Sequence, residues 1–148
     1  MALVDIAKET IIALESDDRE AASSHLADDF TYSGMGARRL DKQEFLSLMH
    51  QLTMAIPDWS FHISDIRKVD NVVYLKTHVT GTQMNELDLN FMDLPIVQGE
   101  DTAIRMPEET VELVFKGGKI VQMNVEPVPG GGLPGLYKQL GVDIAVPV

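Results

Sequence analysis

The chain has 148 residues, 45% of them hydrophobic and 24% charged, which suits one globular domain that buries roughly 68–70% of its unfolded-chain surface. Twelve basic against 23 acidic residues leave a net charge of -11, so nucleic acid and anionic membrane surfaces are excluded as expected partners. With no cysteine, disulfides, thiolate nucleophiles and Cys-ligated metals are excluded as well.

Taken in chain order, the N-terminus shows no basic region followed by an apolar stretch, and no run nears the ~20 apolar residues of a membrane helix. A cytoplasmic protein is expected. Leu3, Ala7, Thr10 and Leu14 follow helical spacing beside Ile6 and Ile11, predicting a helix over 3–15. Asp17-Asp18-Arg19-Glu20 has the pattern of a capping box and opens a short helix to about Leu26. Phe30-Thr31-Tyr32-Ser33 reads as a short strand ended by Gly34-Met35-Gly36. Asp41-Lys42-Gln43-Glu44 is a second capping-box pattern, opening a helix with the stripe Phe45, Leu48, Met49 and Leu52. Pro57 closes this region.

After Pro57 the periodicity switches from helical to alternating. Four apolar rows follow: Trp59/Phe61/Ile63, Val73/Leu75/Thr77/Val79, Val111/Leu113/Phe115 and Val121/Met123/Val125. Period two puts each row on one face of a sheet, and the rows contain no ionisable side chain. Asp70-Asn71 and Gly117-Gly118 tolerate positive φ and predict hairpins. Leu87, Leu89 and Phe91 alternate, predicting a further strand before a loop around Pro95–Gly99. Residues 127–132 read as a Gly/Pro connector, and 133–148 as a short tail with the stripe Leu133, Leu136, Tyr137 and Leu140. The fold class is therefore α+β in a single domain over 1–148, with three N-terminal helices on a strongly bent, mostly antiparallel sheet.

Several strings, in this order, resemble a known superfamily. His25-Leu26-Ala27-Asp28-Asp29-Phe30-Thr31-Tyr32 resembles its helix-to-strand passage, and Pro57-Asp58-Trp59-Ser60-Phe61 its entry into the sheet. Val79-Thr80-Gly81-Thr82-Gln83 resembles the end of a strand, and Gly118-Lys119-Ile120-Val121 a late hairpin. Together they are similar to the SnoaL-like polyketide cyclase branch of the nuclear transport factor two-like superfamily, over about residues 3–126. The resemblance implies a cone-shaped fold. It carries over neither of two catalytic sets. Asn124 stands where SnoaL-like enzymes often have Trp, their Asp falls near Val128, and Gln83 replaces a His. The base of ketosteroid isomerases falls near Gly34.

The resemblance implies a pocket between sheet and helices for a small, largely apolar cyclic molecule, with proton transfer, isomerisation or cyclisation as the expected chemistry. Trp59, Phe61, Thr77, Leu113 and Met123 are the candidate lining, against the alternative of a packed core. Tyr32, Asp58 and His78 are the candidate catalytic residues: a phenol to orient a carbonyl, and a carboxylate or imidazole to move a proton. His78 stands in the row Tyr74/Lys76/His78/Thr80, opposite the apolar row, which also suits solvent or a subunit interface. Asp58 also suits a turn. His25, His50 and His62 suit surface roles, and His25 falls near the implied pocket entrance. No metal-ligating spacing is present, and neither metal nor cofactor is expected. The alternative is a non-catalytic binding or dimerisation module. A homodimer through the outer sheet face, extended by the apolar tail, is expected by resemblance.

Overall fold

Leu3–Glu15 forms helix α1 and buries Ile6, Ala7, Thr10, Ile11 and Leu14, as the spacing predicts; the computed structural model describes residues 2–34 and 38–144. The chain then turns at Asp17, whose φ is 55°. Asp18 rather than Asp17 therefore caps α2 (Arg19–His25), accepting the Ala21 N–H at 3.1 Å. The expected capping box is thus replaced by a single side-chain cap, since the residue three beyond Asp18 is Ala21 and the Asp17 carboxylate lies 3.0 Å from His50 Nδ1.

Strand β1 (Leu26–Ser33) starts four residues before the expected Phe30, and β2 (Leu40–Asp41) pairs with it. Met35 and Gly36, expected to end β1, lie outside the described residues. Asp41 then caps α3 (Lys42–Ala55) with a complete capping box: its side chain accepts from Glu44 N while Glu44 accepts from Asp41 N. Such a cap is worth about 1 kcal/mol.

The expected Asp70-Asn71 hairpin joins β3 (Ile63–Val69) to β4 (Val72–Thr77). Beyond it lie β5 (Thr80–Gln83) and β6 (Thr102–Arg105), which form a separate two-stranded sheet. The expected strand through Leu87, Leu89 and Phe91 is absent. Leu87 pairs only with Val97. Asp88 then accepts the Asn90 N–H, coiling the chain into a short 3-10 turn that leaves Phe91 exposed. The second hairpin joins β7 (Glu109–Lys116) to β8 (Lys119–Val125), with Gly117 and Gly118 at φ 60° and 77°. The chain closes with α4 (Gly132–Gln139).

Six strands form one sheet in the order β2-β1-β8-β7-β4-β3. Its pairs are antiparallel except β1 with β8. Register slips in β1, between Ile63 and Asp65, and between Val114 and Phe115 curve it. The last slip corrects one expected row. Phe115 pairs with Ile120 and Val114 with Gln122, so Val121 is the extra residue. Ile120, Met123 and Val125 are the buried ones.

The tail is also placed differently from expectation. Leu133, Leu136 and Tyr137 are at most 1% exposed and join the core of this same chain. Gly130 and Gly132, at φ 77° and 67°, let the chain reverse toward the sheet. Gln139 then clamps β6, accepting from Arg105 N at 2.8 Å and donating to Arg105 O at 2.9 Å. Tyr137 Oη donates to Pro95 O at 3.2 Å. The stripe is a packing surface and is not free to extend a contact between subunits.

Candidate functional site

The paired registers lay the inward face of the sheet out as three rows. Val73, Leu113, Met123 and Tyr32 form one, and Leu75, Val111 and Val125 the next. Thr77 stands opposite Glu109 in the third. All are buried. Glu109 is the residue the sequence reading missed. It is in phase with Val111, Leu113 and Phe115, and β7 begins one alternation earlier than the row taken from the sequence. The inward face thus carries an ionisable group. Extending the period-two row by two residues finds it.

Glu109 is 6% exposed, and its Oε2 has no hydrogen-bond partner. Burial raises its pKa above the ordinary carboxylate value, with a hydrogen bond from the Gly132 backbone N–H partly opposing the shift. Gly131 covers the carboxyl from outside: a Cβ there would stand 3.1 Å from Oε2. Gly131 also lines a depression of about 350 Å³ together with Gly34, Val128, Gly130, Gly132 and Lys138. Gly131 thus touches both this depression and the buried carboxyl, with Val128 beside it.

Tyr32 is 2% exposed and stacks on Phe45 of α3 with ring centroids 4.7 Å apart. Burial raises its phenol well above the ordinary value, and the Glu109 charge raises it further. Tyr32 is therefore a neutral donor at physiological pH. Trp59 and Phe61 meet edge to face at 5.8 Å, both buried. Among the described residues, the Trp59 indole Nε1 is, like Glu109 Oε2, a buried side-chain atom without a partner. Two of the three catalytic candidates stand apart from this interior. Asp58 is exposed, and its Oδ1 accepts the Thr82 N–H at 2.7 Å. His78 is half-buried and stacks on His62 at 4.7 Å, while His62 Nε2 meets Thr80 Oγ1 at 2.7 Å. His25 pairs with Glu9 at 3.1 Å.

The departures from the resembled catalytic sets have physical causes. A Cβ on Gly34 would collide with the Val125 carbonyl, and Gly34 has φ 105°. No side-chain base fits at that position. Gln83 is 1% exposed, and its Nε2 donates to Asn85 O at 3.1 Å and Val97 O at 2.9 Å, tying two loops together. Asn124 faces out, accepting from Ser33 at 2.7 Å and donating to Glu112 at 3.0 Å. Among the described residues, no three His, Cys, Asp or Glu side chains come together as a metal site. No helix among them is long and apolar enough to cross a membrane.

Residues 7–123 match a family whose domain description is "SnoaL-like domain". The chain belongs to the SnoaL-like domain family. AclR from Streptomyces galilaeus, a proposed hydroxylase, superposes with a TM-score of 0.72 at 20% identity, covering 93% of each chain. IdmH from Streptomyces antibioticus, a proposed polyketide cyclase, gives 0.70 at 18% identity over 96% of this chain and 100% of its own. A nuclear transport factor two-like protein from Cytophaga hutchinsonii gives 0.60 at 16% identity over 87% and 92%. The fold is thus nuclear transport factor two-like. At these identities the likeness carries the fold alone, and the first two names already differ in reaction. Among curated proteins, none matches the chain significantly. The family match ends at residue 123, before the connector and α4.

Proposed function

We propose that this SnoaL-like protein takes a small, largely apolar cyclic molecule into the space between sheet and helices and moves a proton on it with Glu109. The observation that carries the reading is the Glu109 carboxyl, buried, half unpartnered and raised in pKa among apolar residues. A carboxyl made more basic by burial can take a proton from an activated carbon and return it. Tyr32 supplies a neutral hydroxyl to a developing oxyanion. In this reading the buried Trp59, Phe61, Thr77, Leu113 and Met123 hold the rings, and the ligand enters from the glycine-lined depression over Gly131. Asp58 and His78 have no step in this mechanism.

The test uses 2-tetralone, a bicyclic ketone with acidic α-protons, in deuterated buffer. Saturable quenching of the single tryptophan, together with faster exchange of the α-protons than in buffer alone, is expected. Exchange at the buffer rate despite saturable binding would favour a second reading, a binding module without turnover. Gly34 favours that reading, since no base fits there.

For the assembly, we propose a homodimer through the outer sheet face. Arg67 lies 5.3 Å over the Tyr74 ring, and Arg67, Tyr74, Lys76, Thr110 and Glu126 line a depression of about 250 Å³. Charges of both signs side by side suit a self-complementary two-fold contact, which for a stable dimer buries about 1,200–2,000 Å². Lys76→Glu is expected to shift sedimentation toward the 16.4 kDa monomer. A wild-type monomer at micromolar concentration refutes the dimer.

A further inference from the structure

Trp59 is the only tryptophan of the chain and is 4% exposed. Its Nε1 is buried without a hydrogen-bond partner. Indole N–H is a donor only, so the atom that satisfies it must be an acceptor. Leaving such a donor unpaired in an apolar interior is costly, and each case in a folded protein calls for an explanation.

The backbone around Trp59 is held from four sides. Trp59 N donates to Ile56 O at 3.0 Å, and Ser60 and Thr80 exchange both backbone hydrogen bonds at 3.0 Å. Asp58 Oδ1 accepts the Thr82 N–H, and Gly81 between them packs so closely that a Cβ would collide with Ile56 Cγ2 and stand 3.5 Å from Trp59 Cα. The Pro57-Asp58-Trp59 and Gly81-Thr82 strings, far apart in sequence, thus form one clasp that fixes the Trp59 backbone, while Phe61 packs edge to face on its ring. A donor held this way is set in position before any ligand arrives.

Position along the sheet brings this donor to the same end as the carboxyl. Thr77 faces Glu109 across β4 and β7, and Ile63 across β3 and β4. Phe61 and Trp59 precede Ile63 by two and four residues. Val79 follows Thr77, and its carbonyl accepts from Met106 N at 2.7 Å.

We propose that the Trp59 indole N–H receives the carbonyl oxygen of the ligand and is the positioning residue that makes this interior prefer neutral ring ketones over hydrocarbons of the same shape. The proposal rests on the interior site put forward above and adds its acceptor chemistry. A carbonyl held at Nε1 keeps its oxygen on the indole donor when removal of the adjacent proton gives the enolate, with Tyr32 as the second donor proposed above. The proton goes to the Glu109 carboxylate and returns to carbon from it.

The experiment compares 2-tetralone with tetralin, the same ring system without the oxygen, by titration followed on the single indole ¹⁵N–¹H resonance. In the wild type, 2-tetralone is expected to move the indole proton downfield and to bind about fivefold to tenfold more tightly than tetralin. Trp59→Phe should abolish that preference. Because Trp59→Phe also leaves space in the core, the same pair is titrated against protein carrying benzothienylalanine at position 59, which keeps the bicyclic shape and lacks the N–H. Its ketone preference, followed by ligand-observed NMR, should vanish as well. If a resident water occupies Nε1 instead, the two compounds bind alike in the wild type and the proposal is overturned. An unchanged ketone preference in the benzothienylalanine protein overturns it too, with the interior site left standing. If neither compound binds the wild type, the interior site itself falls.

Discussion

Glu109→Gln should slow the α-proton exchange of 2-tetralone by about 10²–10⁴-fold, the range a positioned general base contributes, while leaving the protein more stable than the wild type above the ordinary carboxylate range. The second half follows from linkage. The folded-state pKa of Glu109 lies above its unfolded value, which is close to the ordinary 4.5. Between the two values the folded chain binds more protons than the unfolded one, so stability falls as pH rises. Below the unfolded value the favourable protonated state is common to both forms, and above the folded value the loss is complete. Glutamine keeps an acceptor for the Gly132 N–H, carries no charge and does not titrate. The wild type should therefore lose stability relative to Glu109→Gln as pH rises through this window. The Glu44 carboxyl, held down chiefly by its hydrogen bond from Arg38, contributes a slope of opposite sign. That contribution is present in both proteins and cancels in the difference. Denaturant unfolding at a series of pH values measures it. A difference that stays constant from pH 4 to 8 would exclude a raised carboxyl at 109, and unchanged exchange in the variant would remove Glu109 from the mechanism.

Leu136→Ala is expected to cost about 2–5 kcal/mol, the usual range for truncating a fully buried leucine. At this chain length that is a drop of roughly 5–15 °C in the unfolding midpoint. Leu136 is 1% exposed, and Leu133 and Tyr137 beside it are closed off completely. The helix is also tied by Gln139 to Arg105 and by Tyr137 to Pro95, and burial pushes the Tyr137 phenol up to about 12. That phenol consequently keeps its proton through neutral pH. The loss should be independent of protein concentration, because the stripe packs within one chain. Thermal unfolding at micromolar and at tenfold higher concentration separates the two cases. A loss confined to the lower concentration would return the tail to a subunit interface.

The interior and the tail of this chain are specified over different sequence ranges. Asp41 and Glu44 form their capping box from residues three apart, and Gly117-Gly118 turn the chain through their own φ angles. Such features involve neighbours in sequence, so α1, α3 and both hairpins could be read directly. The placement of Glu109 was also within reach, because strand alternation extends two residues beyond Val111.

The remaining features had no local signal. Val121 left its expected row because a bulge, set by pairing with β7, inserted one residue. Leu87–Phe91 alternated like a strand, yet a turn at Asp88 left it a single bridge, Leu87 to Val97, in place of a ladder. The amphipathic tail showed an apolar stripe without showing whether its own core or a second subunit would cover it. The unpartnered Trp59 Nε1 emerged only when Ile56, Asp58, Gly81 and Thr82 came together across some twenty-five residues of chain. The sequence by itself determined the elements whose capping, turn and alternation rules act between near neighbours. Tertiary structure alone decided which faces met and which buried polar atoms were left without partners, because burial and hydrogen-bond satisfaction depend on residues distant in sequence.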